Sequence, residues 1–314
     1  MKLSKLIHEY VYLKQSLGMR FRSEAGLLRS FLKALGDQEA AAITTEAVGA
    51  FLIGKGAITA TWHLKYRILN GLFRFALGRG HLEISPLPRI LPKEPEPQPP
   101  HIYSTDELRR LLAATVTLQC KMSPLQAATF QALLLTLYGT GLRIGEALSL
   151  TLADVDLAES IITVRESKFY KTRLVPIGPR LNAHLEGYLS RRSDLPCPFG
   201  QASAVFVTRT GKGLSYHRAR KIFGRLRHHA GIRIEDGLTF APRLHDLRHT
   251  FAVHRLELWY RDGADVQRLL PSLATYLGHE GVVHTQRYLP MTCTLLQEAR
   301  ARFENYALAE VSDD

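Results

Sequence analysis

Acidic charge is scarce in this chain of 314 residues. Against 41 lysines and arginines stand 29 aspartates and glutamates, a formal net charge of +12. That balance points to a polyanionic partner. The excess is spread along the chain: residues 1–92 hold 13 basic and 6 acidic side chains, and the rest holds 28 and 23. Cysteine is scarcer still. Cys120, Cys197 and Cys293 lie far apart without CxxC spacing, which excludes a disulfide framework or a zinc ribbon and fits a reduced, intracellular protein. Long apolar runs are missing too. The longest, around Ala132 to Tyr138, falls well short of the roughly 18 residues a membrane span requires. Met1-Lys2-Leu3-Ser4-Lys5 is followed by His8, Glu9 and Lys14, so no signal-peptide core is expected and the expected location is the cytoplasm. No internal repeat is visible.

What is present begins with helical periodicity. Leu6-Ile7, Tyr10-Val11 and Leu13, then Leu27-Leu28 and Phe31-Leu32, recur at helical spacing, with Lys14, Arg20, Arg22, Arg29 and Lys33 between them. Gly36-Asp37 closes this hairpin. Thr44 or Thr45 is placed to cap a further helix with Val48, Phe51 and Leu52 on its apolar face, and Gly54-Lys55-Gly56 breaks it. Trp62 to Leu77 predicts an amphipathic helix with Leu64, Ile68, Leu72, Phe75 and Ala76 inside. Lys65, Arg67 and Arg74 decorate that helix, a basic face suited to phosphates. The stretch Pro92-Lys93-Glu94-Pro95-Glu96-Pro97-Gln98-Pro99-Pro100 reads as an extended spacer. The predicted division is therefore a helical domain over 1–92, a Pro-rich linker over 93–103 and a second domain over 104–314.

The second domain opens at Ser104, which makes a capping box with Glu107. Leu133-Leu134-Leu135 and Leu137-Tyr138 predict a buried helix ending at Gly139. Ser160 to Val164 and Arg173 to Ile177 predict two strands flanking a turn with Lys168, Phe169, Tyr170 and Lys171. Ala204 to Val207 reads as a short extended piece. Tyr216 to Ala230 reads as a basic helix carrying Arg218, Arg220, Lys221, Arg225 and Arg227. The remainder is mostly helical. The fold class expected is mainly α with a small β-sheet, the second domain being α+β.

Four stretches carry chemistry. Gly139-Thr140-Gly141-Leu142-Arg143-Ile144-Gly145-Glu146 follows a helix, and its third glycine comes one residue late for a dinucleotide fingerprint. Arg143 instead sits in the opening turn of a helix, able to fork onto an anion, with Glu146 one turn on. Lys168 lies on the hairpin, with Lys171 beside it. In Leu244-His245-Asp246-Leu247-Arg248-His249-Thr250-Phe251-Ala252, His245 and Arg248 share a helical face. HDLRH lacks the glutamate of HExxH, so no metal is expected there. Finally, Leu277-Gly278-His279 is followed nine residues later by Tyr288. Two arginines, a lysine, two histidines and a tyrosine suit attack on a phosphodiester: guanidiniums and imidazoles stabilise the pentavalent phosphate. The tyrosine oxygen attacks, and lysine or histidine moves protons. Such chemistry needs no metal and no nucleotide cofactor.

Taken together, these motifs make the chain resemble a tyrosine recombinase of the phage integrase family, from about residue 104 to 290. TGLRIGE (140–146), HDLRHTFA (245–252) and LGH followed by Tyr288 occur in the family's order and spacing. The N-terminal helices fit the family's core-binding, SAM-like domain. The resemblance implies that Arg143 and Arg248 bind the scissile phosphate, that Glu146 supports the site, and that His245 handles protons. His279 then donates to the phosphate, and Tyr288 forms a 3′-phosphotyrosyl bond. Lys168 becomes the general acid, although Ser167 and Phe169 replace both glycines of the family's G-K-G-x-K-x-R hairpin and leave Lys171 as a rival. The DNA-contact candidates are Lys65, Arg67, Arg74, Arg218 and Lys221. The implied partner is double-stranded DNA with a specific core site, handled in the prokaryotic nucleoid by a homotetramer, or a hetero-tetramer with a related recombinase, on two duplexes. The helix expected from Leu295 to Ala307 is a candidate for packing on a neighbouring subunit or in cis, and Val311 to Asp314 for a frayed tail. Two other functions share these features: relaxation of supercoils by a type IB topoisomerase, and a non-catalytic DNA-binding architectural protein.

Overall fold

The computed structural model describes residues 1–54, 58–95, 99–119, 125–165, 172–234 and 241–288, together with Gln297, Arg300, Phe303 and Glu304. Lys168 and Lys171, residues 96–98 of the linker, the tail and most of the segment from Leu295 to Ala307 lie outside the described residues. The chain divides into two compact units, Met1–Pro97 and Gln98–Asp314. It is mainly helical with one small sheet.

The first unit is built from α1 (Leu3–Ser16), α2 (Arg22–Leu35), α3 (Thr45–Ile53) and α4 (Ala60–Gly78). Leu3, Leu6, Ile7 and Tyr10 form the buried stripe of α1, spaced three to four residues apart as an apolar helical face requires. Gly36, at φ +76°, ends α2, and the Thr44 hydroxyl accepts from the Ala47 N–H to cap α3. The inward face of α4 differs from the one expected. Trp62, Leu69, Leu72, Phe73 and Ala76 are buried, whereas Leu64 is 45% exposed and Ile68 and Phe75 are only half-buried. At about 100° per residue, Leu64 lies roughly 200° round from Trp62, so the two cannot both face inward. Gly71 on α4 leaves room for the Tyr10 hydroxyl, which a Cβ there would strike.

In the second unit, the Ser104 capping box starts α5 (Thr105–Ala114), with both reciprocal hydrogen bonds formed. Helix α6 (Gln126–Thr140) is the central element and is buried on most sides; Leu133, Thr136 and Leu137 have almost no exposure. It packs against α8 (Pro179–Arg192) and α10 (Asp246–Arg261). It ends one residue later than expected. Gly139 stays helical, and Gly141 at φ +62° stops the helix. A Cβ on Gly141 would lie 2.5 Å from Phe251 and 2.7 Å from Leu277, so both conformation and packing select glycine there. The short α7 (Ile144–Ser149) follows.

The sheet is antiparallel in the order β1 (Val155–Asp156), β2 (Ile161–Val164), β3 (Arg173–Pro176). Ile162 pairs with Val175, both fully buried, which fixes the hairpin's inner face. Val207 is buried and bridges Gly213 before α9 (Tyr216–His229), whose Arg218, Arg220, Lys221 and Arg225 are exposed. After α10 come α11 (Val266–Leu277) and the single-turn α12 (Val283–Gln286). Among the described residues, no helix is long and apolar enough to cross a membrane.

Candidate active site

Four chain segments deliver their side chains to one cavity of about 450 Å³, lined by Arg143, His245, Arg248, His249, His279 and Tyr288 among others. Arg143 stands at the N-cap of α7. Its backbone N–H donates to Glu146 Oε2 at 3.0 Å and its Nη1 to Glu146 Oε1 at 2.9 Å. A second guanidinium reaches the same carboxylate: Arg173, at the start of β3, donates at 3.2 Å and 2.9 Å to its two oxygens. Burial alone would raise the Glu146 pKa, but the Arg173 hydrogen bonds and charge, followed by those of Arg143, hold it down at about 2.

His245 occupies the N-cap position of α10. The buried Asp246 accepts from the Arg243 backbone N–H at 2.7 Å and its guanidinium at 2.9 Å, which secures that end of the helix. One turn on, Arg248 is 2% exposed. Its Nη1 donates to the Gly141 carbonyl and its Nη2 to the Leu277 carbonyl, both at 2.7 Å. Burial, then the neighbouring Arg143 charge, lowers its pKa to about 10, so it remains a cation at neutral pH.

Helix α11 ends at Gly278, φ +68°, with the Gly278 N–H donating to the Thr275 carbonyl and the His279 N–H to the Ala274 carbonyl. This is the doubly bonded left-handed cap for which glycine is suited. It aims His279 into the cavity. His279 Nδ1 lies 2.7 Å from Thr285 Oγ1. Burial first, then the charges of Arg248 and Arg143, pull the His279 pKa down to about 3. The same causes lower His245, with burial again the largest and Arg248 next. Both imidazoles are therefore neutral at pH 7 and present one N–H and one acceptor each.

Tyr288 follows α12, its N–H bonded to the Thr285 carbonyl at 3.0 Å. It is 2% exposed, with its ring edge-on to His249 at 5.4 Å and roughly parallel to His279 at 6.1 Å. His249 itself stands edge-on to His245 at 4.9 Å, and its buried Nδ1 has no hydrogen-bond partner among the described residues. Among the described residues no three His, Cys, Asp or Glu side chains converge as a metal site.

Of the residues singled out from the sequence, Arg143, His245, Arg248, His279 and Tyr288 meet at the cavity, and Glu146 lies behind Arg143. Lys168 lies outside the described residues. Arg218 and Lys221 are exposed on α9, and Arg67 and Arg74 are exposed on α4 of the other unit. Lys65 is differently engaged: its ammonium donates to the Phe51 carbonyl at 2.7 Å and sits 4.7 Å over the Phe51 ring, closing the end of α3. The sequence assigned no site role to Arg173, Thr285 or His249, although His249 stands four residues after His245 in a pair set aside as a metal site. Arg173 carried a signal as the closing arginine of the G-K-G-x-K-x-R hairpin, and His249 one in its spacing from His245. The arrangement offers two guanidiniums, two neutral imidazoles and a phenol around one cavity, which is a set for stabilising charge on an attacked phosphate.

Comparison with known proteins bears on the same residues. Residues 103–292 match the phage integrase family. A putative integrase/recombinase of Sinorhizobium fredii, y4rB, is 34% identical over 304 residues, spanning 95% of this chain and 96% of that one. The tyrosine recombinase XerC of Oceanobacillus iheyensis is 32% identical over 286 residues, spanning 89% and 87%. Among solved structures, the Tn1549 transposon integrase in complex with transposon right-end DNA matches with a TM-score of 0.69 over 98% of this chain and 100% of that one, at 19% identity. A lambda integrase tetramer bound to a Holliday junction matches with a TM-score of 0.64 over 92% and 77%, at 17% identity. At these identities the structural likeness establishes the shared fold.

Proposed function

Because the chain belongs to the phage integrase family, we propose that it is a site-specific DNA recombinase that cuts and rejoins strands through a 3′-phosphotyrosyl intermediate on Tyr288. One observation carries the proposal. Arg143, Arg248, His245 and His279 surround the same cavity as Tyr288, with the two histidines held neutral.

The chemistry follows from those groups. Arg143 and Arg248 hold the non-bridging oxygens of the scissile phosphate, and a neutral His279 donates its free N–H to one of them. The Tyr288 oxygen attacks phosphorus while His245 takes the phenolic proton. The 5′-oxygen leaves with a proton from the hairpin lysine, Lys168 by motif position. One phosphodiester is exchanged for one phosphotyrosyl ester, so the energy of the broken bond is retained. A 5′-hydroxyl from a second strand reverses the step without ATP or metal. Double-stranded DNA is the substrate, with Arg67, Arg74, Arg218 and Lys221 available to its phosphates. A tetramer on two duplexes is the proposed working assembly, supported by the junction-bound form of lambda integrase.

A nicked suicide duplex carrying the cognate site tests this. The protein is expected to form an SDS-stable adduct, and Tyr288→Phe to form none; an adduct on Tyr288→Phe removes Tyr288 from its role. Relaxation of any supercoiled plasmid without a partner site would instead indicate topoisomerase action. Site binding with no cleavage would indicate an architectural protein.

A further inference from the structure

The end of α11 leaves carbonyls that its own cap does not satisfy. The Gly278 and His279 N–H groups take up the carbonyls of Thr275 and Ala274. The next three carbonyls in the chain each accept from a different arginine. Arg173 Nε donates to Tyr276 O at 3.0 Å, Arg248 Nη2 to Leu277 O at 2.7 Å, and Arg143 Nη2 to Gly278 O at 3.2 Å. Two of these arginines are the proposed phosphate ligands. The third, Arg173, faces the same turn but has its remaining nitrogens on Glu146, the carboxylate that also holds Arg143.

We infer that Arg173 is a positioning residue that sets the spacing between Arg143 and the His279 turn. This rests on the recombinase reading above. The reasons are geometric. The Glu146 side chain is 9% exposed; it accepts from both terminal nitrogens of Arg173, a two-pronged contact that an ammonium cannot reproduce, and from one guanidinium nitrogen of Arg143. The Arg173 guanidinium also lies against Gly278, where an added Cβ would meet its Nη1 at 2.8 Å and its Cζ at 2.9 Å. Arg173 therefore touches both neighbours of the phosphate site, Glu146 on one side and the Gly278 turn on the other. Without it, Glu146 is left to Arg143 alone and draws that guanidinium away from a phosphate. The Tyr276 carbonyl loses its donor, and the turn that aims His279 loosens.

The test compares Arg173→Gln and Arg173→Lys with the parent protein, full chain, on the suicide duplex. For Arg173→Gln the adduct rate at saturating DNA is expected to fall roughly 10- to 100-fold, as small misplacements of reacting groups do, with the DNA dissociation constant within about threefold. In the DNA-free protein, amide exchange at Gly278 and His279 is expected to rise at least about fivefold, the scale of one lost hydrogen bond, with the melting curve still cooperative. Arg173→Lys keeps the charge without the fork and is expected to match Arg173→Gln. Wild-type rate in a folded Arg173→Gln, or in Arg173→Lys, overturns the inference. So does unchanged exchange at the turn. If the parent protein itself forms no Tyr288-dependent adduct, the recombinase reading fails, and the exchange measurement still decides whether Arg173 holds the turn.

Discussion

The Nδ1 of His279 lies 2.7 Å from the hydroxyl oxygen of Thr285, and Thr285 is completely buried. The contact ties the turn after α11 to the single-turn helix that precedes Tyr288, so the proposed phosphate donor and the proposed nucleophile are held by one hydrogen bond and one packing contact. In the tautomer whose Nδ1 accepts from the threonine hydroxyl, the ring N–H is on Nε2.

Thr285→Val keeps the shape and removes the hydroxyl. The expected result is a drop of roughly tenfold in adduct rate at saturating DNA and a stability loss of about 1 kcal/mol, the worth of one buried hydrogen bond. Thr285→Ser is expected to retain most of the rate. Single-turnover cleavage and denaturant unfolding read the two effects, and a Thr285→Val protein cleaving at the parent rate would show that His279 orients without the bond.

Stability should fall as pH drops below neutrality. Burial holds His249 and His279 at about 3, while in the unfolded chain both titrate near 6.5. Between those values the unfolded chain binds protons that the folded one refuses, so the stabilisation is full above pH ~6.5 and is lost progressively towards 3. His249 lies beside His245, Arg248, Arg287 and Arg243, all of which oppose its protonation. His249→Phe removes one such group and is expected to lose less stability than the parent between pH 7.5 and pH 5. Equal losses in melting midpoint for the two proteins would refute the assignment.

The hairpin lysines separate by leaving group. On an ordinary substrate Lys168→Ala is expected to cleave roughly 10²- to 10⁴-fold more slowly. A 5′-bridging sulfur leaves as a thiolate and needs no proton, so that substrate should restore Lys168→Ala to near the parent rate. Lys171→Ala should be little affected on either. Rescue of Lys171→Ala in place of Lys168→Ala transfers the general-acid role, and rescue of neither removes it from the hairpin.

Local features were legible where the deciding physics is local. The Ser104 capping box, the Thr44 cap, the glycine after α2, the paired strands around Ile162 and Val175, and the basic α9 all depend on neighbours a few residues away. The same holds for the spacing that brings His245 and Arg248 to one face. The misses came where distant packing decides. Periodicity marked α4 as amphipathic but chose Leu64 over Leu69 and Phe73, because several arcs of that helix are apolar and only its partners select one. Gly139 and Gly141 are equally good stops in isolation; Phe251 and Leu277, far along the chain, select Gly141.

The amino-acid sequence alone determined the order of the motifs bearing Arg143, His245, Arg248, His279 and Tyr288. Family membership is readable from that order. Tertiary structure decided what those groups do to one another. Arg143 reaches Gly278 across 135 residues and Arg173 reaches Tyr276 across 103, separations at which no periodicity or spacing rule operates. The pairing of each guanidinium with its carbonyl, the sharing of Glu146, and the lowered pKa values of His249 and His279 arise from burial and from hydrogen-bond satisfaction around the shared cavity. Those conditions exist only once α7, β3, α10 and the end of α11 have packed together.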